Sequence, residues 1–197
     1  MKFVLASNNK KKLKEMAEIL EQEGCSVVPM GEMGFDSDPE ETGSTFEENA
    51  LIKAKAAMAK CALPCIADDS GLEVDALGGA PGIRSARYCE GSDLERTLFL
   101  LENMKGVENR RARFVSAVAC AFPDGSELVV RGECPGEILG QLKGEGGFGY
   151  DPVFYIPSEG CTYAQMNKER KNKISHRAKA MESFCRELRN KRNEEKR

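Results

Sequence analysis

The sequence predicts an α/β fold built on a mixed β-sheet, and three features of the chain lead to this expectation. Short apolar runs in the first half alternate with amphipathic stretches of helical period, as parallel strands joined by helices require. In the second half, the turn Pro123-Asp124-Gly125 separates two β-rich stretches and is typical of an antiparallel hairpin. The chain closes on another amphipathic stretch. Parallel and antiparallel pairs in one chain favour a mixed sheet with helices packed on it.

Strands and helices alternate in the first half of the chain. Each expected strand is a short apolar run that ends at turn residues, and each expected helix has apolar residues three or four positions apart. Two of the helices start at a capping box, in which Ser or Thr is followed three residues later by Glu. The strands are expected at residues 2–6, 25–30 and 64–68, and the helices at residues 10–23, 45–60 and 92–104.

The second half is expected to be mostly β-structure before a final helix. Residues 111–122 and 126–134 flank the predicted turn and form the hairpin. A further strand is expected near residues 136–141 and a last one at residues 152–156. Ser175 is expected to cap the C-terminal helix, whose apolar side chains share one face.

Length and composition limit the class of protein. With 197 residues, the chain is long enough for one domain or for two small lobes that share a core. Its net charge of −3 argues against a general nucleic-acid-binding protein, which would carry a basic excess. No apolar run reaches the roughly 20 residues of a membrane span, and the apolar start is too short for a signal peptide. A cytoplasmic location without a membrane partner is therefore expected.

The expected location bears on the eight cysteines and on any bound metal. Cytosolic thiols are kept reduced, no Cys-x-x-Cys pair occurs, and His176 is the single histidine. A zinc site is therefore not expected. Any metal would be held mainly by oxygen ligands, which points to Mg²⁺ chemistry.

Three loops that follow predicted strands concentrate polar and glycine residues, and ligands bind at such strand ends in open α/β sheets. The first loop covers residues 7–12 and leads into a helix with three consecutive lysines. Backbone N–H groups and lysines at this place suit a phosphate, because lysines at the positive end of a helix need an anion to offset their repulsion. A solvated, lysine-rich first turn is the alternative.

The second loop holds Asp68 and Asp69. Neighbouring side chains point to opposite faces of a strand that continues, but both could reach one cleft if the strand ended at Gly71. Close carboxylates repel each other, and a divalent cation would relieve the repulsion. Glu41 and Lys53 support this interpretation, since carboxylates for Mg²⁺ beside lysines for phosphate are typical of metal–nucleotide chemistry. An Asp-rich turn is the alternative.

The third loop, residues 144–151, places Phe148 between glycines. A ring presented in this way can stack on a nucleobase, a contact worth about 1–3 kcal/mol per base. Core packing of Phe148 is the alternative.

A basic stretch with Lys171, His176 and Arg177 is expected at the start of the last helix. Positive side chains oppose the dipole at this end of a helix, so a ligand acceptor explains them better than stability does. For His176, a structural role and a general-base role are the alternatives, although no Ser or Cys nucleophile is spaced to support the second.

Six segments support a nucleotide-binding interpretation, because their order and spacing match a known pattern over nearly the whole chain. They are Ser7-Asn8-Asn9 through Lys12, Glu41-x-x-x-Thr45-Phe46-x-Glu48-Asn49-Ala50, Ala67-Asp68-Asp69-Ser70-Gly71-Leu72, Gly78-Gly79-Ala80-Pro81-Gly82 with Ser85-Ala86-Arg87-Tyr88, Gly146-Gly147-Phe148-Gly149-Tyr150-Asp151-Pro152, and Ile174-Ser175-His176-Arg177. In this order the chain resembles the inosine triphosphate pyrophosphatases, the non-canonical purine nucleoside triphosphate pyrophosphatases (XTP/dITP diphosphatases).

The resemblance implies a fold and an activity. The fold would be a single domain over residues 1–197, with an elongated mixed β-sheet flanked by helices, two lobes and a central nucleotide-binding cleft. The protein would be a homodimer. It would hydrolyse ITP, dITP and XTP between the α- and β-phosphates with Mg²⁺, releasing the monophosphate and pyrophosphate and so cleansing the nucleotide pool.

The resemblance also implies roles for residues at matching positions. Glu41 and Asp69 look like metal ligands, and Asp69, with Asp68 beside it, looks like the residue that activates the attacking water. The first loop departs from the family pattern, because many members have glycine where this chain has asparagine and lysine. The matching substrate-binding set is Ser7, Asn8, Asn9, Lys10, Lys11, Lys12, Lys53, Ser70, Phe148, Gly149, Tyr150, Asp151, Lys171, His176 and Arg177.

Two chemical hypotheses follow from this set. Mg²⁺ and the lysines would neutralise the leaving pyrophosphate, while Asp69 orients the attacking water. The ordinary pKa of an aspartate is about 3.9, and a bound cation would lower it further, so Asp69 would be a weak base. Arg177 and His176 would donate hydrogen bonds to the 6-oxo group of hypoxanthine or xanthine and clash, donor against donor, with the 6-amino group of adenine.

Two other classes of protein stay open. A related pyrophosphatase for modified pyrimidine nucleotides would keep the acidic residues but lack the Ser-His-Arg ending. A nucleotide-binding module without catalysis would not need Glu41, Asp68 and Asp69. This chain has both features, which favours the purine-specific enzyme.

Overall fold

The computed structural model of the chain describes residues 1–194, which form a mixed sheet of seven strands with five α-helices. The strands lie in the order β2-β1-β3-β4-β5-β6-β7. The bounds are β1 Lys2–Leu5, α1 Lys10–Gln22, β2 Ser26–Pro29, α2 Phe46–Cys61, β3 Cys65–Val74, α3 Asp93–Asn103, β4 Arg111–Ala121, β5 Glu127–Ile138, β6 Phe154–Ile156, β7 Cys161–Thr162, α4 Lys168–Ile174 and α5 His176–Glu194.

The mixed character of the sheet confirms the predicted fold class. Strand β1 pairs in parallel with both β2 and β3, and these are the strands that helices connect. Strands β5, β6 and β7 pair in antiparallel fashion. The predicted turn joins β4 to β5, where Phe122 N–H donates to the carbonyl of Ser126 at 3.0 Å.

Both predicted capping boxes are present and start their helices. Thr45 Oγ1 accepts from Glu48 N at 3.1 Å, and a Glu48 carboxylate oxygen accepts from Thr45 N at 3.2 Å, immediately before α2. Ser92 and Glu95 make the same pair of bonds before α3. These helix starts were predictable because each depends on two side chains only three residues apart.

Two strand boundaries differ from the prediction. Strand β3 was expected to end at Asp68, but it continues through Gly71 to Val74 because Leu72 and Val74 return to fully buried positions. The prediction of a separate strand near residues 136–141 is wrong, because β5 runs unbroken to Ile138. The Ile138 N–H donates to the carbonyl of Arg110 at 2.9 Å.

The C-terminal third holds two elements that the sequence did not predict. Strand β7 follows β6, so residues 152–156 do not contain the last strand. Lys171 does not lie at the start of the last helix but on α4, a separate short helix capped by Asn167, whose side chain accepts from Arg170 N at 2.8 Å. Ser175 ends α4, and α5 begins at His176.

The chain divides into two compact units, and strands β3, β4 and β5 each contribute residues to both. Within the described residues, the first unit comprises residues 1–69, 116–132 and 177–194, and the second comprises residues 70–115 and 133–176. The core of the first unit includes Phe3, Leu5, Met16, Leu20, Ile66, Val118, Met181, Phe184 and Leu188. The core of the second includes Leu72, Val74, Leu100, Met104, Phe114, Tyr150, Phe154 and Tyr163.

Two further findings concern the whole described chain. No disulfide joins any of the eight cysteines, all of which lie within residues 1–194. Over the same residues, no helix combines the length and the apolar character needed to cross a membrane.

Gly136 in β5 offers a test of the packing of β5 against β6. A Cβ atom at this position would lie 2.6 Å from Phe154 Cζ and 2.6 Å from the carbonyl oxygen of Tyr155. We expect Gly136→Ala to lower the free energy of unfolding by about 1–3 kcal/mol, because a backbone oxygen cannot move aside cheaply. Urea denaturation monitored by circular dichroism measures this difference.

Gly140→Ala is the matched control, because a Cβ at Gly140 would meet nothing within 4 Å. Its free energy of unfolding should stay within about 0.5 kcal/mol of the parent chain. Equal stability of the two variants would contradict the close approach of β5 and β6.

Candidate active site

The loop between β1 and α1 is shaped by its own polar side chains. Asn9 caps α1, and its Oδ1 accepts from Lys11 N at 3.0 Å and from Lys12 N at 3.2 Å. Asn9 N donates to Ser7 Oγ at 3.2 Å, and Asn8 Nδ2 donates to Asp36 Oδ1 at 3.0 Å. Two of the N–H groups that the sequence suggested for a phosphate are therefore bonded to the Asn9 side chain.

Lys12 differs from the other lysines of the first turn. Lys10 and Lys11 are exposed, whereas the Lys12 side chain is 17% exposed and its Nζ lies 2.9 Å from Asp68 Oδ2. Burial lowers the pKa of Lys12, and the Asp68 charge opposes part of this effect. The anion that offsets the charge of Lys12 at this helix end is thus a carboxylate of the protein itself.

Asp68 is held by two cations from different helices. Besides Lys12 on α1, Arg177 at the start of α5 places its Nε 3.4 Å from Asp68 Oδ2. Burial raises the pKa of Asp68, but the charges of Lys12 and Arg177 outweigh it and hold the pKa well below the usual range. Asp68 therefore stays ionised.

Arg177 has a second carboxylate partner that the sequence analysis missed. Its Nη1 lies 2.5 Å from Glu15 Oε2, and the Arg177 side chain is 3% exposed. Glu15 lies three residues after Lys12 on α1, so both side chains share one face of that helix. This spacing was the signal available in the sequence, but the partner lies 162 positions further along the chain.

Asp69 belongs to a different set of contacts. Lys53 Nζ, from the middle of α2, lies 3.2 Å from Asp69 Oδ1 and 2.8 Å from Glu41 Oε1. Burial lowers the pKa of Lys53, but Asp69, Asp68 and Glu41 together raise it above its usual value. The pKa of Asp69 is raised above its usual value, chiefly by burial. The charge of Lys53 lowers this pKa, and the charge of Glu41 raises it. The shift is opposite in direction to the one expected for Asp69 from the sequence with a cation bound.

The continuity of β3 explains why the two adjacent aspartates have separate partners. Neighbouring side chains of a strand point to opposite faces, and Asp68 contacts Lys12 and Arg177 while Asp69 contacts Lys53. The continuing strand is therefore the correct alternative of the two that the sequence left open.

The set around Asp69 fits a magnesium ion in its donor chemistry. Asp69 Oδ2 is buried and has no hydrogen-bond partner among the described residues. Lys53 contacts both Glu41 and Asp69, so the two carboxylates face one small volume. Mg²⁺ is usually held by one or two carboxylates together with waters and substrate phosphates. Within residues 1–194, no three His, Cys, Asp or Glu side chains form a ready cage for a metal.

In the second unit, Asp151 organises the loop that carries Phe148. Asp151 Oδ2 accepts from Phe148 N at 2.9 Å and lies 2.6 Å from Lys171 Nζ. The same Nζ lies 4.9 Å from the centre of the Phe148 ring. Phe148 is half-buried and not part of the core, so the core alternative does not apply. The main-chain turn needs glycine at Gly147, where φ is +76° and a Cβ would lie 1.9 Å from Asp151 Oδ2.

Three further residues of the predicted set, Ser70, Tyr150 and His176, lie in the second unit. Tyr150 is buried; burial raises the pKa of its hydroxyl, which donates to the carbonyl of Ser85 at 2.8 Å. His176 is also buried and stacks on Phe114, with ring centres 4.8 Å apart and planes 13° from parallel. Ser70, within β3, is half-buried.

Comparisons with known proteins identify the family of the chain. The Ham1 family model matches residues 3–187. The chain is 50% identical to the dITP/XTP pyrophosphatase of Haemophilus influenzae over 186 residues, which cover 91% of this chain and 95% of that protein. It is 48% identical to the dITP/XTP pyrophosphatase of Escherichia coli over 195 residues, with 96% and 98% of the two chains covered.

Solved structures give the same result for the fold. A HAM1 protein from Coxiella burnetii matches with a TM-score of 0.89 and 41% identity, over 96% of this chain and 99% of that one. The Ham1 protein of Staphylococcus aureus matches with a TM-score of 0.89 and 43% identity, over 97% and 100%. Family model, relatives and structures all extend over nearly the full chain, and the chain therefore belongs to the Ham1 family.

Proposed function

We propose that this chain removes non-canonical purine nucleotides by hydrolysing dITP, XTP and ITP to the monophosphate and pyrophosphate. The chain is 48–50% identical to dITP/XTP pyrophosphatases over more than 90% of its length, which makes it a nucleoside triphosphate pyrophosphatase. One observation supports the mechanism most directly: Lys53 lies between Glu41 and Asp69, beside a buried Asp69 oxygen with no hydrogen-bond partner among the described residues.

We propose that Glu41 and Asp69 hold Mg²⁺, whose charge would stabilise the negative charge that develops on the phosphates. Lys12 and Lys53 are ammonium groups with three donors each, and only part of this capacity is used by Asp68, Asp69 and Glu41. The remaining N–H groups can donate to phosphate oxygens. The same proposed phosphate-binding set includes Ser7, Asn8, Asn9, Lys10, Lys11 and Ser70.

The two aspartates have separate roles in this proposal. Asp69 orients the attacking water and accepts its proton. Asp68 remains an anion and holds Lys12 and Arg177 in place.

The purine is assigned to the Phe148 loop of the second unit and to Arg177 of the first unit. We propose that the purine stacks on Phe148, near Lys171, whose Nζ lies over the ring, and Asp151, which accepts from Phe148 N. Gly149, Tyr150, His176 and Arg177 complete the proposed substrate-binding set. The single two-lobed domain with a nucleotide cleft, the homodimer and the cytoplasmic location are further parts of this proposal, supported by the resemblance and the composition.

Product analysis is the primary test of the proposed reaction. Incubation with Mg²⁺ and a panel of ITP, dITP, XTP, ATP and GTP should yield monophosphate and pyrophosphate from the first three nucleotides. Chromatography of the nucleotides and separate assays for pyrophosphate and orthophosphate distinguish the two bond cleavages. Release of orthophosphate alone would overturn the proposed reaction.

Asp69→Asn tests the role of Asp69. We expect kcat to fall about 10²- to 10⁴-fold, because the carboxamide cannot accept the proton of the water. Steady-state kinetics with dITP measure turnover, and calorimetry in the presence of Mg²⁺ measures nucleotide binding separately.

Asp124→Asn is its control, since Asp124 is an exposed aspartate that accepts from Ser126 N in the β4–β5 turn. Its turnover should match that of the parent chain. Near-normal turnover of Asp69→Asn would remove Asp69 from the mechanism.

Arg177→Ala tests the selection of the base and the support of Asp68. We expect the ratio of kcat/KM between ITP and ATP to fall, because a donor that favours the 6-oxo group is lost. We also expect a loss of about 3–5 kcal/mol in stability, because Asp68 stays buried with one cation fewer.

Arg177→Lys keeps the charge and is the control for the stability effect. Kinetics are measured below the melting temperature of each variant, as determined by thermal unfolding. An unchanged ITP/ATP ratio in both folded variants would show that Arg177 does not select the base.

A further inference from the structure

We propose that Asp93, in the first turn of α3, is a positioning residue that fixes the Phe148 ring for the purine. This inference rests on the proposed function, in which the purine stacks on Phe148. Asp93 Oδ2 accepts a hydrogen bond from Gly149 N at 3.0 Å, although 56 positions separate the two residues. Gly149 directly follows Phe148, so this bond fixes the peptide group that joins them.

The first two turns of α3 face both backbone groups of Gly149. Thr97 is buried, and its Oγ1 lies 2.8 Å from the Asp93 carbonyl and 3.3 Å from the Gly149 carbonyl. A hydroxyl donates one proton, so these two carbonyls share it. The Asp93 carboxylate is therefore the stronger contact, and Thr97 supports the following peptide group, which joins Gly149 to Tyr150.

The Asp93 side chain is itself oriented by its surroundings. Arg96 Nη2 lies 2.7 Å from Asp93 Oδ1, which leaves Oδ2 directed at Gly149 N. Arg96 Nη1 donates to the Gly91 carbonyl at 2.5 Å, and Ser92 and Glu95 form the capping box that fixes the start of α3. A carboxylate held in this way can define the position of a loop.

The loop also has anchors on either side of this peptide group. Phe148 N is bonded to Asp151, and the Tyr150 hydroxyl is bonded to the Ser85 carbonyl. Gly149 lies between these two anchors in the left-handed region, with φ of +57°. Without Asp93, its peptide group would lose the middle anchor, and the ring would take a wider range of directions. Because stacking needs a defined ring plane, we expect weaker substrate binding with little change in the chemical step.

Asp93→Ala is therefore expected to raise KM for dITP roughly 5- to 20-fold, which is part of the full effect of losing a hydrogen bond to a charged group, with kcat within about twofold. Asp93→Asn keeps an oxygen that can accept from Gly149 N and should recover most of the loss. Thermal unfolding of both variants establishes that they are folded at the assay temperature. If Asp93→Ala does not fold, the Asn variant and Thr97→Val, for which a smaller rise in KM is expected, carry the test.

A control separates positioning from helix stabilisation. Glu47 is also an acidic residue in the first turn of a helix, and it pairs with Arg131 at 3.1 Å. Glu47→Ala removes the same kind of helix-end charge and Arg contact without touching the Phe148 loop. Its KM should equal that of the parent chain, and an equal rise in KM for both variants would overturn the positioning role.

A double-mutant cycle with Phe148→Ala separates this inference from the proposed function. If Asp93 acts through Phe148, Asp93→Ala should not raise KM further once the ring is absent. Independent, multiplicative effects on KM would overturn the positioning role while leaving the base site intact. An unchanged KM in Phe148→Ala alone would instead overturn the proposed base site.

Discussion

The burial of two adjacent carboxylates on one continuous strand is the constraint on which the first unit depends. Asp68 and Asp69 are both buried on β3. An ionised carboxylate without a partner is strongly destabilising in such a place, so each needs a cation nearby. Strand geometry sends the two side chains to opposite faces, and the cations consequently come from different helices: Lys12 from α1, Arg177 from α5 and Lys53 from α2.

This constraint accounts for placements that look unfavourable in the sequence alone. Lysine in the first turn of α1 and arginine at the start of α5 both oppose a helix dipole. Each of them contacts Asp68, and a buried ion pair at 2.9 Å outweighs a dipole effect of about 0.3–1 kcal/mol. The unequal number of cations also separates the two acids. Asp68 has two direct cations, whereas Asp69 shares one with Glu41, which is why their pKa values move in opposite directions.

The sequence predicted those features that depend on neighbouring residues. The starts of α2 and α3 follow from capping boxes, and the β4–β5 turn follows from Pro123-Asp124-Gly125. It also grouped Glu41, Lys53 and Asp69, which the structure joins through Lys53, because those residue types recur in metal–nucleotide sites. The predictions from the sequence were wrong where contacts between distant residues determine the structure. Gly71 suggests a strand end, yet burial of Leu72 and Val74 extends β3 beyond it.

Contacts between residues far apart in the chain could not be predicted from local sequence patterns for the same reason. Neither Glu15 with Arg177 nor Asp93 with Gly149 leaves a joint signal in one sequence, because each pair depends on how separate elements pack.

Both units hold a lysine with a buried carboxylate. Lys12 pairs with Asp68 in the first unit, and Lys171 pairs with Asp151 in the second. Such a pair has less net charge than a lysine alone and attracts an anion less strongly from a distance. Its advantage is order, because a lysine held by one carboxylate loses little further side-chain entropy when its other N–H groups meet a ligand. The second unit extends this principle to the main chain: Asp151 occupies the space where a side chain on Gly147 would lie, and so one carboxylate fixes a lysine, a turn and the N–H of Phe148 together.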